Sequence, residues 1–194
     1  MEKPDTASKK VFIAPLNWGL GHATRLLPLI RKFLDHDYQV YIGASGRSKE
    51  LLLKEVPNCH YIDFPEYPIK YPKSKFFVSR FMLMTFPRML QAMRKEKRIL
   101  KKLQAQLQFS IIISDNRFAL ALKNVKCYLI SHQLRYKHPW PIGNMEWISE
   151  YFNFTLFKKY HKILVPDCAE AESLTGDLSH KMRYIQRIIY IIRV

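Results

Sequence analysis

Acidic residues are scarce in this chain: sixteen Asp and Glu stand against 32 Lys and Arg in 194 residues, a formal charge of +16. That surplus draws a protein towards phosphates, anionic lipid or nucleic acid and names no narrower partner. Cysteine is also scarce. Cys59, Cys127 and Cys168 are odd in number, far apart and without Cys-x-x-Cys or Cys/His ligand spacing. This excludes a disulfide framework and a zinc site, so reduced thiols of a cytosolic protein and no metal are expected. Long apolar runs are missing, since none approaches the roughly 18 uncharged residues that span a bilayer. Residues 1–10 form a polar leader with no signal-peptide pattern. A cytoplasmic protein is expected, soluble or peripheral at the inner face of the membrane. The chain has no internal repeat and no low-complexity tract. It has only six glycines, so two of them within three positions, Gly19 and Gly21, stand out.

At 48% hydrophobic, the chain can bury one sizeable core, and one domain is the expectation for this length. Short apolar runs alternate with segments of helical period: a strand over 11–16, a helix over 25–35, a strand over 39–44, a helix over 48–55 and a strand over 60–64. After an irregular stretch at 65–74 come a long helical segment to about 108 and a strand over 110–114. Further strands are predicted over 126–130 and 162–165. Between those two, a loop over 131–144 rich in Pro, Gly and Asn leads to an aromatic helix over about 145–159. Strand and helix in alternation predict an α/β fold, a Rossmann-like doubly wound parallel sheet. Pro87 and Pro28 each remove a backbone donor, so each is expected to kink or split its helix.

The first strand runs into Asn17, Trp18, Gly19, Leu20, Gly21, His22, Ala23, Thr24 and Arg25. Free backbone N–H groups and the positive dipole end of a helix suit a phosphate there. A tight turn with no ligand accounts for the two glycines equally well. A dinucleotide fingerprint would need a third glycine where Thr24 stands, and an acid at the end of the second strand, where Ser45 and Gly46 stand. NAD and FAD are therefore not expected, and with no Gly-Lys-Ser/Thr after the turn neither is a P-loop. His22 distinguishes this turn, because imidazole exchanges a proton near neutral pH and can act as a general base. A surface histidine without a role remains the alternative.

A second constellation, Ser114, Asp115, Asn116 and Arg117, stands at the carboxyl end of the fourth strand. Asp115 reads either as a helix N-cap or as a functional acid. Counting strands in a doubly wound sheet of order 3-2-1-4-5-6 sets the first and fourth side by side at the ligand-binding crevice. His22 and Asp115 would then form a pair in which the carboxylate orients the imidazole and stabilises its cation. Ser131, His132, Gln133, Leu134 and Arg135 follow the fifth strand and read as substrate contacts or as an ordinary polar loop.

In these residues, together with 165–167 and 174–180, the chain resembles bacterial GT-B glycosyltransferases, in particular those related to glycosyltransferase family 28. The resemblance covers residues 11–185 and implies the N-terminal Rossmann-like domain, the acceptor-binding side of a two-domain, nucleotide-sugar-dependent enzyme. It implies His22 as catalytic base and Asp115 as its supporting acid. Phosphate and substrate contacts fall to Asn17, Gly19, Gly21, Arg25, Asn116, Arg117, His132, Gln133 and Arg135. No cofactor is implied; the co-substrate is a nucleotide sugar, by family habit a UDP-sugar, and the acceptor a sugar or lipid-linked sugar. Residues 186–194 form an Arg- and Ile-rich tail where the family's linker to a donor-binding domain should begin. A half lacking that domain is expected to be inactive alone.

From Lys70 to Lys102 there are eleven Lys or Arg and one acid, Glu96, interleaved with Phe76, Phe77, Phe81 and Phe86. One reading is a segment lying on an anionic membrane with its aromatic face inserted, at roughly 1 kcal/mol per basic residue near the surface. The other is a core-facing helix with a basic solvated side, which periodicity favours for 99–107. A basic binder of membrane or nucleic acid without catalysis is the non-enzyme alternative. Nucleic acid has only net charge in its favour, with no zinc finger, stacking motif or recognition helix. If the aromatics insert, replacing Phe76, Phe77 and Phe81 by Ser lowers co-sedimentation with anionic vesicles at moderate salt. Unchanged binding would leave charge attraction or a buried helix.

Overall fold

The computed structural model describes residues 9–67, 78–131, 155–166 and 188–190, with side chains from 87 onwards in the long helix. The chain divides into two compact units, Met1–Phe109 and Ser110–Val194.

The first unit is built on β1 (Lys10–Pro15), in which Val11, Phe12, Ile13 and Ala14 are fully buried. A strand without a polar face must be covered on both sides, as in parallel sheets. It pairs in parallel with β2 (Gln39–Ala44), and β2 pairs in parallel with β3 (His60–Asp63), giving the order β3-β2-β1. Helix α1 (Leu20–Asp35) buries Ala23, Leu26 and Ile30, and α2 (Gly46–Glu55) buries Ser48 and Leu52, at the three- and four-residue spacing of one helical face. The Phe12 ring packs on Phe64 and Phe109 at 5.5 and 5.3 Å between centroids. Gly43 makes room for it: a methyl group there would lie 2.6 Å from Phe12 Cζ.

Helix α3 (Val78–Leu107) runs through Pro87 without interruption, and α1 through Pro28. Of the expected kink or split, neither helix shows the split. Each ring removes a single N–H, and the rest of a long amphipathic helix keeps its packed face. Beyond Pro87, α3 buries Met93, Glu96 and Leu100 and exposes Arg94, Lys95, Arg98, Lys101 and Lys102. The basic residues of this stretch thus form the solvated side of a packed helix. The acid among them is fully buried and accepts a 2.6 Å hydrogen bond from the Tyr67 hydroxyl.

The second unit is a parallel sheet of β4 (Ile111–Asp115), β5 (Lys126–Ile130), β6 (Lys162–Val165) and β7 (Ile188–Tyr190), paired in that order. Strand β7 lies in the stretch that the sequence reading set apart as a tail. Its Ile-Ile-Tyr run pairs with β6 from Ile188 opposite Ile163 to Tyr190 opposite Val165. Of the predicted aromatic helix, residues 155–157 are helical; its earlier part lies outside the described residues. No helix among the described residues is long and apolar enough to cross a membrane.

Residues 116–125 connect β4 to the parallel β5 with turns instead of a helix. Buried Tyr160 holds this short crossover. Its hydroxyl donates to Arg117 O at 2.9 Å and accepts from Leu120 N at 3.2 Å and Ser114 Oγ at 3.3 Å. Tyr160→Phe leaves buried backbone groups unpaired, and a loss of about 2–3 kcal/mol is expected from the denaturant midpoint. A change below about 0.5 kcal/mol would show that the crossover is held by its apolar packing alone.

Candidate functional site

In the first unit, the chain leaves the buried β1 strand at Pro15 and must start α1 within a few residues. Gly19 makes the turn at φ 138°, a conformation rarely open to a side chain. The helix then begins at Leu20, so Gly21, His22, Ala23 and Thr24 belong to its first turns and not to a loop, as the sequence pattern had placed them. Exposed Gly21 is tolerated there, where helix propensity counts least.

No side-chain cap closes this helix end, and no acid stands in its first turn. A methyl group placed on either Gly19 or Gly21 would meet nothing within 4 Å. The two glycines therefore leave the helix N-terminus approachable, with its dipole favouring negative charge. His22 and Arg25, one turn apart and both half-buried, are joined through Nη2 of Arg25 and Nδ1 of His22 at 2.8 Å. A guanidinium has only donors, so Nδ1 is the acceptor, and the neutral ring carries its proton on Nε2.

Beside this turn lies a cavity of about 350 Å³, lined by Asn17, Gly19 and Leu20 from the end of β1, by Ser45 to Ser48 from the end of β2, and by Glu66. Asn17 Oδ1 and Ser45 Oγ are buried without a hydrogen-bond partner, whereas Ser48 Oγ donates to Gly19 O at 3.5 Å. Ser45, Arg47, Ser48 and Glu66 were not among the site residues expected from the sequence. The signal for the first three was the rule that ligands gather at strand carboxyl ends, applied to β2 as well as β1.

In the second unit, Asp115 is the last residue of β4 and fully buried. No helix follows it through residue 125, so the N-cap reading falls. Asn116 adopts φ 53°, and its N–H donates to Ile130 O at 3.0 Å, extending the strand pairing. Its Oδ1 is buried without a partner. Arg117 is fully buried and engaged within the fold. His132, Gln133 and Arg135 lie outside the described residues, as do Phe76 and Phe77; Phe81 falls in α3, where its side chain is not described. His22 belongs to the first unit and Asp115 to the second.

Among the described residues, no three His, Cys, Asp or Glu side chains gather as metal ligands. Cys59 and Cys127 are buried and form no disulfide. Burial pushes the Cys59 thiol up to about 11, which keeps it protonated and unreactive at neutral pH.

These features define a Rossmann-like α/β fold of the kind found in GT-B glycosyltransferases, of which the chain corresponds to about half. No protein-family profile matches the chain. An uncharacterized glycosyltransferase of Methanosarcina mazei is 26% identical over 172 residues, which cover 81% of this chain and 43% of that protein. LpCGTa, solved in complex with UDP, superposes with a TM-score of 0.56 at 14% identity, over 95% of this chain and 52% of its own. MurG of Acinetobacter baumannii superposes with a TM-score of 0.50 at 10% identity, over 84% of this chain and 42% of its own. The chain thus spans about half the length of the proteins it matches.

Proposed function

We propose that the chain is the N-terminal, acceptor-binding half of a nucleotide-sugar-dependent glycosyltransferase related to family 28. The supporting observation is a GT-B-like half whose first strand ends in an open, uncapped helix N-terminus carrying His22. In this reading a donor-binding half brings the sugar, as a UDP-sugar, and the half described here presents the acceptor hydroxyl. The hydroxyl oxygen bonds to the anomeric carbon, the bond from that carbon to phosphate breaks, and UDP leaves with the electron pair. The acceptor's proton passes to His22. Asn17, Gly19, Gly21 and Arg25 hold substrate phosphate or hydroxyl groups at the helix end, and the resemblance assigns Asp115 the part of supporting acid.

The contact with Arg25 sets a condition on this chemistry. While the guanidinium occupies Nδ1, the ring offers Nε2–H, a donor. To accept a proton at Nε2, the ring must carry its own proton on Nδ1, a tautomer that a carboxylate favours and a guanidinium opposes. The Arg25-bound ring is therefore the resting form in this proposal, and exchange of Arg25 for a carboxylate gives the working form.

The exposed basic face of α3 favours an accessory role, attraction to an anionic surface such as the membrane bearing a lipid-linked acceptor. A binding module for membrane or nucleic acid without catalysis would rest on that charge alone.

In a chain joined to a donor-binding half, His22→Ala is expected to lower kcat about 10²- to 10⁴-fold with a smaller change in donor affinity. Asp115→Asn is expected to cost less, because the imidazole stays in place. Turnover that survives His22→Ala would remove the histidine from the chemistry.

A further inference from the structure

The cavity between the ends of β1 and β2 carries a mixture of groups that a phosphate site would not. Glu66 arrives from the connection after β3 and sets its carboxylate against the start of α2: a methyl group on Gly46 would lie 3.0 Å from Glu66 Oε1. This is the position that favours an anion at a helix end, and a side chain of the protein already holds it. A bound phosphate would face that carboxylate. Ser45, the N-cap residue of α2, makes no capping bond with its hydroxyl. Its Oγ and Asn17 Oδ1 are buried at the cavity wall without partners, an arrangement that costs free energy until each is satisfied. Arg47 on the rim supplies donors, and Glu66 supplies two acceptor oxygens.

We infer that this cavity binds a ring bearing vicinal hydroxyl groups. A hydroxyl both donates and accepts, so it matches a wall offering acceptors at Asn17 and Glu66, a hydroxyl at Ser45 and donors at Arg47. A carboxylate takes two neighbouring hydroxyls at once, one on each oxygen. The volume of about 350 Å³ lies at the small end of ordinary ligand pockets and suits a monosaccharide unit. A dinucleotide-binding strand would supply an acid for a ribose from its own end; here β2 is followed by Ser45 and Gly46, and the acid comes from another connection. The chemistry is shared by an acceptor sugar and by the ribose of a nucleoside. The first of these rests on the transferase reading above, and would make Asn17, Ser45 and Glu66 specificity determinants for the acceptor.

The test is a titration of the ¹⁵N-labelled full chain, without any donor-binding half, by the methyl glycosides of glucose and N-acetylglucosamine, by uridine and 2′-deoxyuridine, and by inorganic phosphate. The expected result is shifts at the Asn17 side-chain amide and the Gly46 and Ser48 backbone amides on adding a glycoside, with phosphate leaving them in place. Uridine acting where 2′-deoxyuridine does not would also support the site and assign it to ribose. Glu66→Gln and Ser45→Ala should each weaken binding by about tenfold while the remaining spectrum stays folded. The inference is overturned if phosphate moves these amides and no glycoside or nucleoside does, if nothing moves them, or if both variants bind as the parent does. Because binding is read without transfer, its failure is separate from a failure of His22→Ala to change turnover.

Discussion

The first unit depends on a strand that cannot show a polar group along its length. Val11 to Ala14 are fully enclosed, so this strand can meet water and ligands only at its ends. Polar residues therefore collect at Asn17, at the turn through Gly19 and on the first turn of α1. The same constraint acts on β2, where Val40, Ile42 and Ala44 are buried and Ser45 to Ser48 follow at once. A parallel arrangement sets both exits on one edge. The cavity and the uncapped helix end are consequences of how these two strands are buried.

The second unit meets a comparable demand by another route. Ser114, Asp115, Arg117 and Ser131 are buried polar residues near the ends of β4 and β5. The crossover between those strands, residues 116–125, contains no helix, and one tyrosine hydroxyl gathers its backbone. A buried carboxylate and a buried guanidinium persist in a protein interior only when engaged, and both are. Hydrogen bonds to that tyrosine hydroxyl and the buried Ala119, Leu120 and Ala121 together hold this edge.

Much of this was legible in the sequence where the physical signal is local. The boundaries of β2, β5 and β6 follow directly from apolar runs bounded by polar residues. His22 and Asp115 were singled out because residues at strand ends are candidates whatever the fold's details. The start of α1 was placed late, because glycines read as loop although a first turn tolerates them. Strand β7 was missed because Arg187 and Arg193 flank its short apolar run and gave it the look of a tail. Glu66 was invisible for a different reason: it meets Gly46 through the packing of β3 beside β2, which no sequence spacing encodes. The cap reading of Asp115 could be settled only by the backbone that follows it.

The account rests on a division of labour in which the chain holds the acceptor side and the nucleotide sugar is gripped elsewhere. Calorimetric titration of the chain with UDP tests this most directly. The open end of α1 alone offers a diphosphate a few hydrogen bonds and a partial charge, which corresponds to a Kd no tighter than about 1 mM. Binding at or weaker than that level is the predicted result. A Kd in the micromolar range would contradict the account, because it would place a complete nucleotide site within this chain.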